Sequence, residues 1–492
     1  MAPSVDTTSG PTVALCRAGG GQIERPLSGT VSPRRVAHQV KARIKLLLAD
    51  RVLVAAIVAA FVLRLVPMLI WIDKPCVRDE CTYEEISWAI LEGRGMIGTN
   101  GWLWAPAYPL LMAVHAAIFG FPGAVQVTQL AVSIVSVLLM YDIADAEFDR
   151  TTARISAWAY ALSPTLIFYT GTLWSETIYS GLLLGAVVAL RWARSGGAER
   201  GWLPGILAGA CVLFRGVATY MLPIFAIALL WGRHRQAAAW QAAIGCMVAA
   251  VLVVAPYSAY ATQKFGGLVI SDRTLGQMMW LGNNDFPPMT FDWGNGTLSK
   301  RAYEEATDLG RKHCKFGKDP IAQDACEVAA GKAWIQAHPV EFLERIPLRV
   351  SQLVTPHSFL TRHLRWSRWR GLPDVVDEAL ILGVVVFSFG TLLGGTIGIG
   401  ARGRGWYALT AALIVLYHVA AISVLAGLSR YRVPLEPLWM VFAAALFADP
   451  RAAWTALVAA PKRLFATVLV TGVLAGLMLR FLPAGWPAWG EW

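Results

Sequence analysis

Eleven apolar runs, most of them close to bilayer length, constrain this chain more than any other feature. A crossing helix needs about 20 mostly apolar residues. Runs of that kind lie at 52–72, 124–144, 155–173, 177–193, 203–216, 217–231, 240–258, 376–400, 406–427, 433–448 and 464–482. Lipid offers no partner for a backbone N–H or C=O, so runs like these cross as helices. The predicted fold is an all-α polytopic membrane protein with about eleven transmembrane helices. Composition agrees, since 56% of the 492 residues are apolar and only 15% are charged, outside the soluble range.

A formal net charge of +11 would suggest nucleic acid if it lay on a soluble domain. Here Lys and Arg fall into short connections, as the positive-inside rule requires of cytoplasmic loops. No nucleic-acid partner is expected. The apolar stretch from Trp102 to Phe121 decides the parity. With that stretch lying in the outer leaflet, five basic connections fall inside. They carry Arg150 and Arg154; Arg191, Arg194 and Arg200; Arg233 and Arg235; Arg402 and Arg404; and Arg451, Lys462 and Arg463. If it crosses, all of them face outward.

The first threading divides the chain into four parts. Residues 1–50 form a basic, disordered cytoplasmic tail, with no signal-peptide pattern expected. Residues 51–258 form a transmembrane module whose first outer loop, 73–123, holds juxtamembrane helices. Residues 259–372 form a small helical extracytoplasmic insert, and 373–492 the C-terminal transmembrane helices. No inverted pair of similar halves is visible, which counts against a secondary transporter.

The same threading sorts the seven cysteines. Cys16 is cytoplasmic, and Cys211 and Cys246 lie within spans. Cys76 with Cys81, and Cys314 with Cys326, are two local pairs in an oxidising exterior, so both are candidate disulfides. Four unpaired small hydrophobes are the alternative. No Cys/His spacing suggests a metal site, and no Gly-rich phosphate loop or nucleophile elbow is present. Among the aromatics, Trp71, Trp102 and Trp104 are placed as an interfacial belt.

Charged groups at the membrane's outer face carry the chemistry. Asp79 and Glu80 lie in C-V-R-D-E-C, directly after the first run. Glu176 is alone in the short turn T-L-W-S-E-T-I-Y. Arg215 sits in V-L-F-R-G-V, Arg430 and Arg432 in L-S-R-Y-R-V-P, and Arg64 inside the first run. Singly, each is an ordinary helix-end charge. Together, arginines in outer turns against the positive-inside trend suggest a phosphate held at the membrane, for which their forked, permanent charge is suited. Paired acids suggest a general base, or a site for a cation or an acceptor. His357 and His363, near the end of the insert, are within reach of such a site.

Four patterns resemble the GT-C class of lipid-phosphate-sugar-dependent glycosyltransferases, in its protein O-mannosyltransferase and lipid A aminoarabinose transferase branch. They are the arginine-bearing first run followed by D-E-C-T-Y-E-E-I-S-W-A-I-L-E-G and W-A-P-A-Y-P-L-L; L-S-P-T-L-I-F-Y-T-G-T-L-W-S-E; G-I-L-A-G-A-C-V-L-F-R-G; and L-S-R-Y-R-V-P-L-E-P. They cover most of 52–450 in order. Where the branch often has Lys-Pro-Pro or His-Pro-Pro, this chain has Trp104-Ala105-Pro106-Ala107.

The resemblance implies a GT-C-like fold in a bacterial cytoplasmic membrane, with a polyprenyl-phosphate sugar as donor. It implies inverting transfer to a hydroxyl of a glycolipid, polysaccharide or protein acceptor. On matching positions Asp79 is the general base, Glu80 its neighbour and Glu176 the second-loop acid. Arg430, Arg432, Arg215 and Arg64 are candidates for the donor phosphate, and Tyr83, Tyr108, Tyr431 and His357 for substrate binding. No cofactor is required, although a divalent cation could replace some of the arginine charge. The alternatives are a polymerase or ligase using undecaprenyl-linked sugars, resting on Arg430, Arg432 and His357, or a lipid-linked-sugar flippase.

Overall fold

The computed structural model describes residues 49–72, 75–76, 79–97, 103–285, 314, 319–357, 360–361, 364 and 373–480. The expectations for tail residues 1–48 with Cys16, for Trp102, for His363 and for the side chain of Trp71 lie outside them. Among the described residues the regular structure is helical, apart from isolated bridges that join Leu103 to Ile97 and to Arg273.

Among the described residues, six helices are long and apolar enough to cross a bilayer: Arg51–Ile70, Pro122–Glu147, Ala237–Phe265, Asp374–Arg402, Gly405–Val424 and Pro461–Leu479. The pair Ser429–Ala448 and Pro450–Val458, bent by 95°, adds a seventh if taken as one span. The protein is therefore a multi-pass membrane protein. Several of the eleven runs fold differently from a single straight span. Run 155–173 becomes two helices, Arg150–Leu162 and Pro164–Thr170, broken at Ser163. Runs 203–216 and 217–231 become Trp202–Phe214, a 3₁₀ turn Gly216–Met221, and Leu222–Leu230. Thirteen residues rise only about 20 Å at ~1.5 Å each, short of a hydrocarbon core of about 30 Å. The helix Ala107–Phe119 is equally short.

The break at Ser163 explains Arg64. Pro164 has no N–H to offer the carbonyl of Tyr160, so the end of the preceding helix is left short of donors. Arg64 reaches across from the first span and supplies them. Its Nη2 donates to Tyr160 O at 2.8 Å, Nη1 to Ala161 O at 2.9 Å, and Nε to Ser133 Oγ at 2.6 Å. The side chain is fully buried. An arginine inside an apolar span is here the cap of a broken neighbour.

Close packing elsewhere depends on small residues, as bilayer helices require when lipid is as apolar as leucine. Gly201, Gly205 and Gly209 recur every fourth position against helix Ala237–Phe265. A Cβ at these positions would stand 2.0 Å from Ala242 O, 2.2 Å from Cys246 O and 2.8 Å from Ala250 O. Gly398 plays the same part against Phe442 O, at 2.0 Å. These seams bring the short helices and their turns close to the long spans.

The long helix Ala237–Phe265 ends on Gly266, whose φ of 70° is the left-handed cap that favours glycine. The helical region thus extends seven residues into the range expected for the insert, 259–372. Beyond it lie Leu275–Gly282, Pro320–Ala337 and Pro339–Val354. Cys76 is bonded to Cys81, with Cα atoms 4.9 Å apart, and Cys314 to Cys326, at 5.7 Å. Cys211 and Cys246 are free and buried.

Candidate active site

The site is assembled from four turns far apart in sequence. The first is the start of helix Asp79–Leu91, which has Asp79 and Glu80 in its opening turn, where carboxylates oppose the helix dipole favourably. The Cys76–Cys81 bond closes the backbone around that turn. Glu80 is fully buried, and its Oε1 accepts from Leu173 N at 3.0 Å. It ties the first helix to the second turn, 171–175.

That second turn is held from below by two buried glutamines. Gln126 donates to Gly171 O at 2.9 Å, and Gln129 donates to Thr170 O at 2.9 Å and Thr172 O at 2.7 Å. The hydroxyl of Tyr108 donates to Gln129 Oε1 at 2.8 Å, so this buried tyrosine supports the platform. Glu176 follows at the head of the next helix, with a side chain only 1% exposed.

The third turn carries Arg215, at the end of helix Trp202–Phe214. Its Nη2 donates to Glu176 Oε1 at 2.6 Å and its Nε to Ser175 Oγ at 3.2 Å. The fourth is the 3₁₀ turn Ser429–Leu435. There Arg430 Nη1 donates to Asp79 Oδ2 at 2.5 Å, and its Nε lies 3.9 Å from Glu176 Oε1. Two arginines and two carboxylates thus form one chain: Asp79, Arg430, Glu176, Arg215. Aromatic rings flank the cations. Arg215 lies over Tyr179 and Tyr431, both at 5.8 Å, and Arg430 over Trp174 and Tyr431, both at 5.6 Å.

Both guanidiniums line a cavity of about 160 Å³. Its walls include Tyr83, Trp104, Tyr179, Phe214 and Tyr431, with His418, Gln277 and Asp272 as further polar groups. Tyr83 sits edge-on to Trp104 at 5.1 Å and to Tyr108 at 5.0 Å. Burial pushes its phenol up to about 12, so it is a neutral hydroxyl at neutral pH.

The expected residues divide into three groups. Tyr83, Arg215, Arg430 and Tyr431 line the cavity. Asp79 and Glu176 pair with its arginines, and Glu80 anchors the turn beside them. Arg64, Tyr108, Arg432 and His357 are buried and do not line it. Arg432 faces a different task from Arg430, two residues away. Its Nε donates to Glu436 Oε1 at 2.9 Å, and its Nη1 to Thr355 O at 2.5 Å and Leu353 O at 3.2 Å. It fastens the 3₁₀ turn to helix Pro339–Val354. No group of three or more His, Cys, Asp or Glu able to hold a metal occurs among the described residues.

The sequence reading passed over Asp272, Tyr179, His418 and Trp174. Asp272 had a signal: it follows the end of a span in the polar string S-D-R-T. Its Oδ2 accepts from Gly216 N at 3.0 Å. A Cβ on Gly216 would lie 2.5 Å from both carboxylate oxygens, so the glycine after Arg215 is what allows this approach.

Comparison with known proteins gives a partial match. A family model described as dolichyl-phosphate-mannose-protein mannosyltransferase matches residues 104–260, a stretch with Glu176 and Arg215 but neither Asp79 nor Arg430. No curated protein matches the chain. Among solved structures it is similar to the oligosaccharyltransferase of Archaeoglobus fulgidus in its apo form, at 14% identity and a TM-score of 0.47. That similarity covers 89% of this chain and 56% of the other. It is also similar to ArnT from Cupriavidus metallidurans bound to undecaprenyl phosphate, at 10% identity and a TM-score of 0.40, over 82% of this chain and 78% of that one. This chain therefore spans little more than half the length of the archaeal enzyme.

Proposed function

We propose that the protein is a membrane glycosyltransferase that moves a sugar from a polyprenyl-phosphate donor to a hydroxyl acceptor. In this reading the transfer inverts the anomeric centre, with Asp79 as general base. The carrying observation is the convergence of Arg215 and Arg430, from turns 215 residues apart, on one aromatic cavity, each paired with a carboxylate. The partial match to a mannosyltransferase family model supports it.

The chemistry follows from the charges. A hydroxyl is a weak nucleophile, and a carboxylate that takes its proton as the new C–O bond forms lowers the barrier. The leaving group is a lipid phosphate, which departs with the electron pair of the breaking bond. Its growing charge is met by Arg430 and Arg215, fixed beforehand against aromatic rings and carboxylates, so little reorganisation is needed. Asp79 lies 2.5 Å from Arg430, so base and phosphate-neutralising cation work at adjoining positions. Glu176 lies between the two arginines and offsets their mutual repulsion.

The threading with a cytoplasmic N-terminus accompanies this reading. It puts the site on the outer face of a bacterial cytoplasmic membrane, where the lipid tail lies in the outer leaflet. A polymerase or ligase centred on Arg430, Arg432 and His357 fits less well, because Arg432 and His357 are buried away from the cavity lining.

The experiment is an assay of purified protein against a panel of polyprenyl-phosphate sugars and hydroxyl acceptors, read by product mass. Transfer of one sugar with release of the lipid phosphate is expected. Movement of an intact lipid-linked sugar across proteoliposomes, with no covalent product, would overturn the reading.

A further inference from the structure

We propose that Asp272 recognises the hydroxyl hydrogens of the transferred sugar ring and so determines which sugar the cavity accepts. This rests on the glycosyltransferase reading above and deepens it at one residue.

Three charged side chains line the cavity, Arg215, Arg430 and Asp272, and they are not alike. Arg215 is neutralised by Glu176 and Arg430 by Asp79. Asp272 also lines the cavity, yet it makes no ion pair among the described residues. The neighbouring Arg273 is turned to Asp324, at 3.3 Å. The hydrogen bond to Asp272 from this chain is the Gly216 N–H. A carboxylate has about four acceptor positions, so the cavity offers acceptor capacity that the protein leaves unfilled. Neutral hydroxyls supply donors that fill those positions.

The carboxylate is also well fixed. Ser271 Oγ donates to Val212 O at 2.5 Å, Arg273 N to Leu103 O at 2.7 Å, and Gly276 N to Asp324 Oδ1 at 2.6 Å. The loop is pinned on both sides of Asp272, to three different parts of the chain. Such support is what a recognition group needs to discriminate between hydroxyl positions.

The aromatic walls supply the second element of recognition. The cavity offers acceptors at Asp272 and the rings of Tyr83, Trp104, Tyr179 and Tyr431 for the apolar C–H surface of a ring. At about 160 Å³ it matches the size class of cavities, roughly 150 Å³, that take one six-membered ring.

The test compares wild type with Asp272→Asn, using the donor sugar found in the panel assay and its monodeoxy analogues. Asn keeps the size but replaces one acceptor with a donor. The expected result is a tenfold or larger rise in donor KM, with the loss falling on KM rather than kcat. One monodeoxy donor, lacking the hydroxyl that Asp272 reads, is used equally by both proteins. Binding of bare polyprenyl phosphate stays as in wild type, which also shows that the variant is folded. Gly216→Ala should reproduce the pattern, because its Cβ displaces the carboxylate without changing any charge.

An unchanged KM overturns the proposal, as does a uniform loss across all deoxy donors. Weakened binding of the bare lipid phosphate by both variants also overturns it, since Asp272 would then support the site as a whole. If the wild type transfers no sugar from any donor, the glycosyltransferase reading itself fails. If it transfers and Asp272→Asn is indifferent, only the role of Asp272 fails.

Discussion

Two clusters of carboxylates and arginines join helices in this protein, and they differ in what they face. One is Asp79, Arg430, Glu176 and Arg215. The other is Asp50, which accepts from Tyr141 OH at 2.7 Å, Arg154 Nε at 3.0 Å and Arg150 Nε at 3.1 Å. Both bind separate helices through one or two acids. In the second, the acid is buried, its arginine side chains are 59% and 42% exposed, and none of the four residues lines the cavity. Asp50 is at the same time the N-cap of the first span, accepting from Val52 N. In the first cluster the arginine side chains are only 12% and 15% exposed and open onto an aromatic cavity. Ion pairing alone does not mark a functional site. Enclosed cations at a cavity wall are what set the proposed site apart.

That contrast can be broken most sharply at the arginines. Arg430→Ala should lower kcat by on the order of 10²–10³, as loss of one fixed donor to a developing anion does. Arg150→Ala, in the other cluster, should leave transfer within about twofold, since an exposed ion pair contributes only about 0–1 kcal/mol. Equal effects of the two substitutions in a transfer assay would erase the distinction.

A smaller effect is expected from pH at the cavity's third carboxylate. Burial pushes the Asp272 carboxyl up to about 6; Asp324 adds to the rise, while the Gly216 N–H, Arg215 and Arg273 oppose it. Donor KM should therefore fall several-fold as pH rises through about 6 and the carboxylate ionises, with the inflection absent in Asp272→Asn. Stability runs the other way. A carboxyl raised in the folded state contributes stability present below the ordinary carboxylate range and lost as pH rises through about 6. Thermal unfolding at pH 5 and 7, compared between wild type and Asp272→Asn, checks that sign.

Asp50→Ala should cost about 1 kcal/mol through the lost N-cap, visible as a lower unfolding temperature, with KM for the donor unmoved. A modest effect on transfer is expected of Cys76→Ser with Cys81→Ser. The first turn keeps the Asp79–Arg430 pair and the Glu80–Leu173 bond, so transfer should fall at most about threefold, given that closing so short a loop gains little. A loss equal to that of Arg430→Ala would mean that the disulfide, rather than the ion pair, positions Asp79.

The sequence disclosed these regions unevenly, for physical reasons. Apolar runs reveal spans because lipid allows only helices, and arginines in turns that the threading reads as outer stand out against the charge rule. That made Arg215 and Arg430 visible. Arg432 carries the same sequence signal and Arg64 is a charge inside an apolar run, yet each is consumed by carbonyls from distant segments: Leu353 and Thr355 for the first, Tyr160 and Ala161 for the second. Nothing local distinguishes an arginine that caps a broken helix from one that lines a cavity. The break itself was legible in L-S-P, where proline removes a donor, but its consequence for Arg64 depended on tertiary packing. Tyr108 resembles a binding residue in W-A-P-A-Y-P and instead supports Gln129. Asp272 was missed because it belongs to no motif; the meaningful pattern was the R-G dipeptide that makes room for it, 56 residues earlier.

The most direct test of the account is Asp79→Asn, measured for donor binding and for transfer on the same purified protein. Binding of the polyprenyl-phosphate sugar should stay within a few-fold of wild type while the transfer rate falls by about 10²–10⁴, the range for losing a general base. Transfer at the wild-type rate, with donor bound normally, would contradict the assignment of Asp79 and with it the claim that this cluster is the chemical centre.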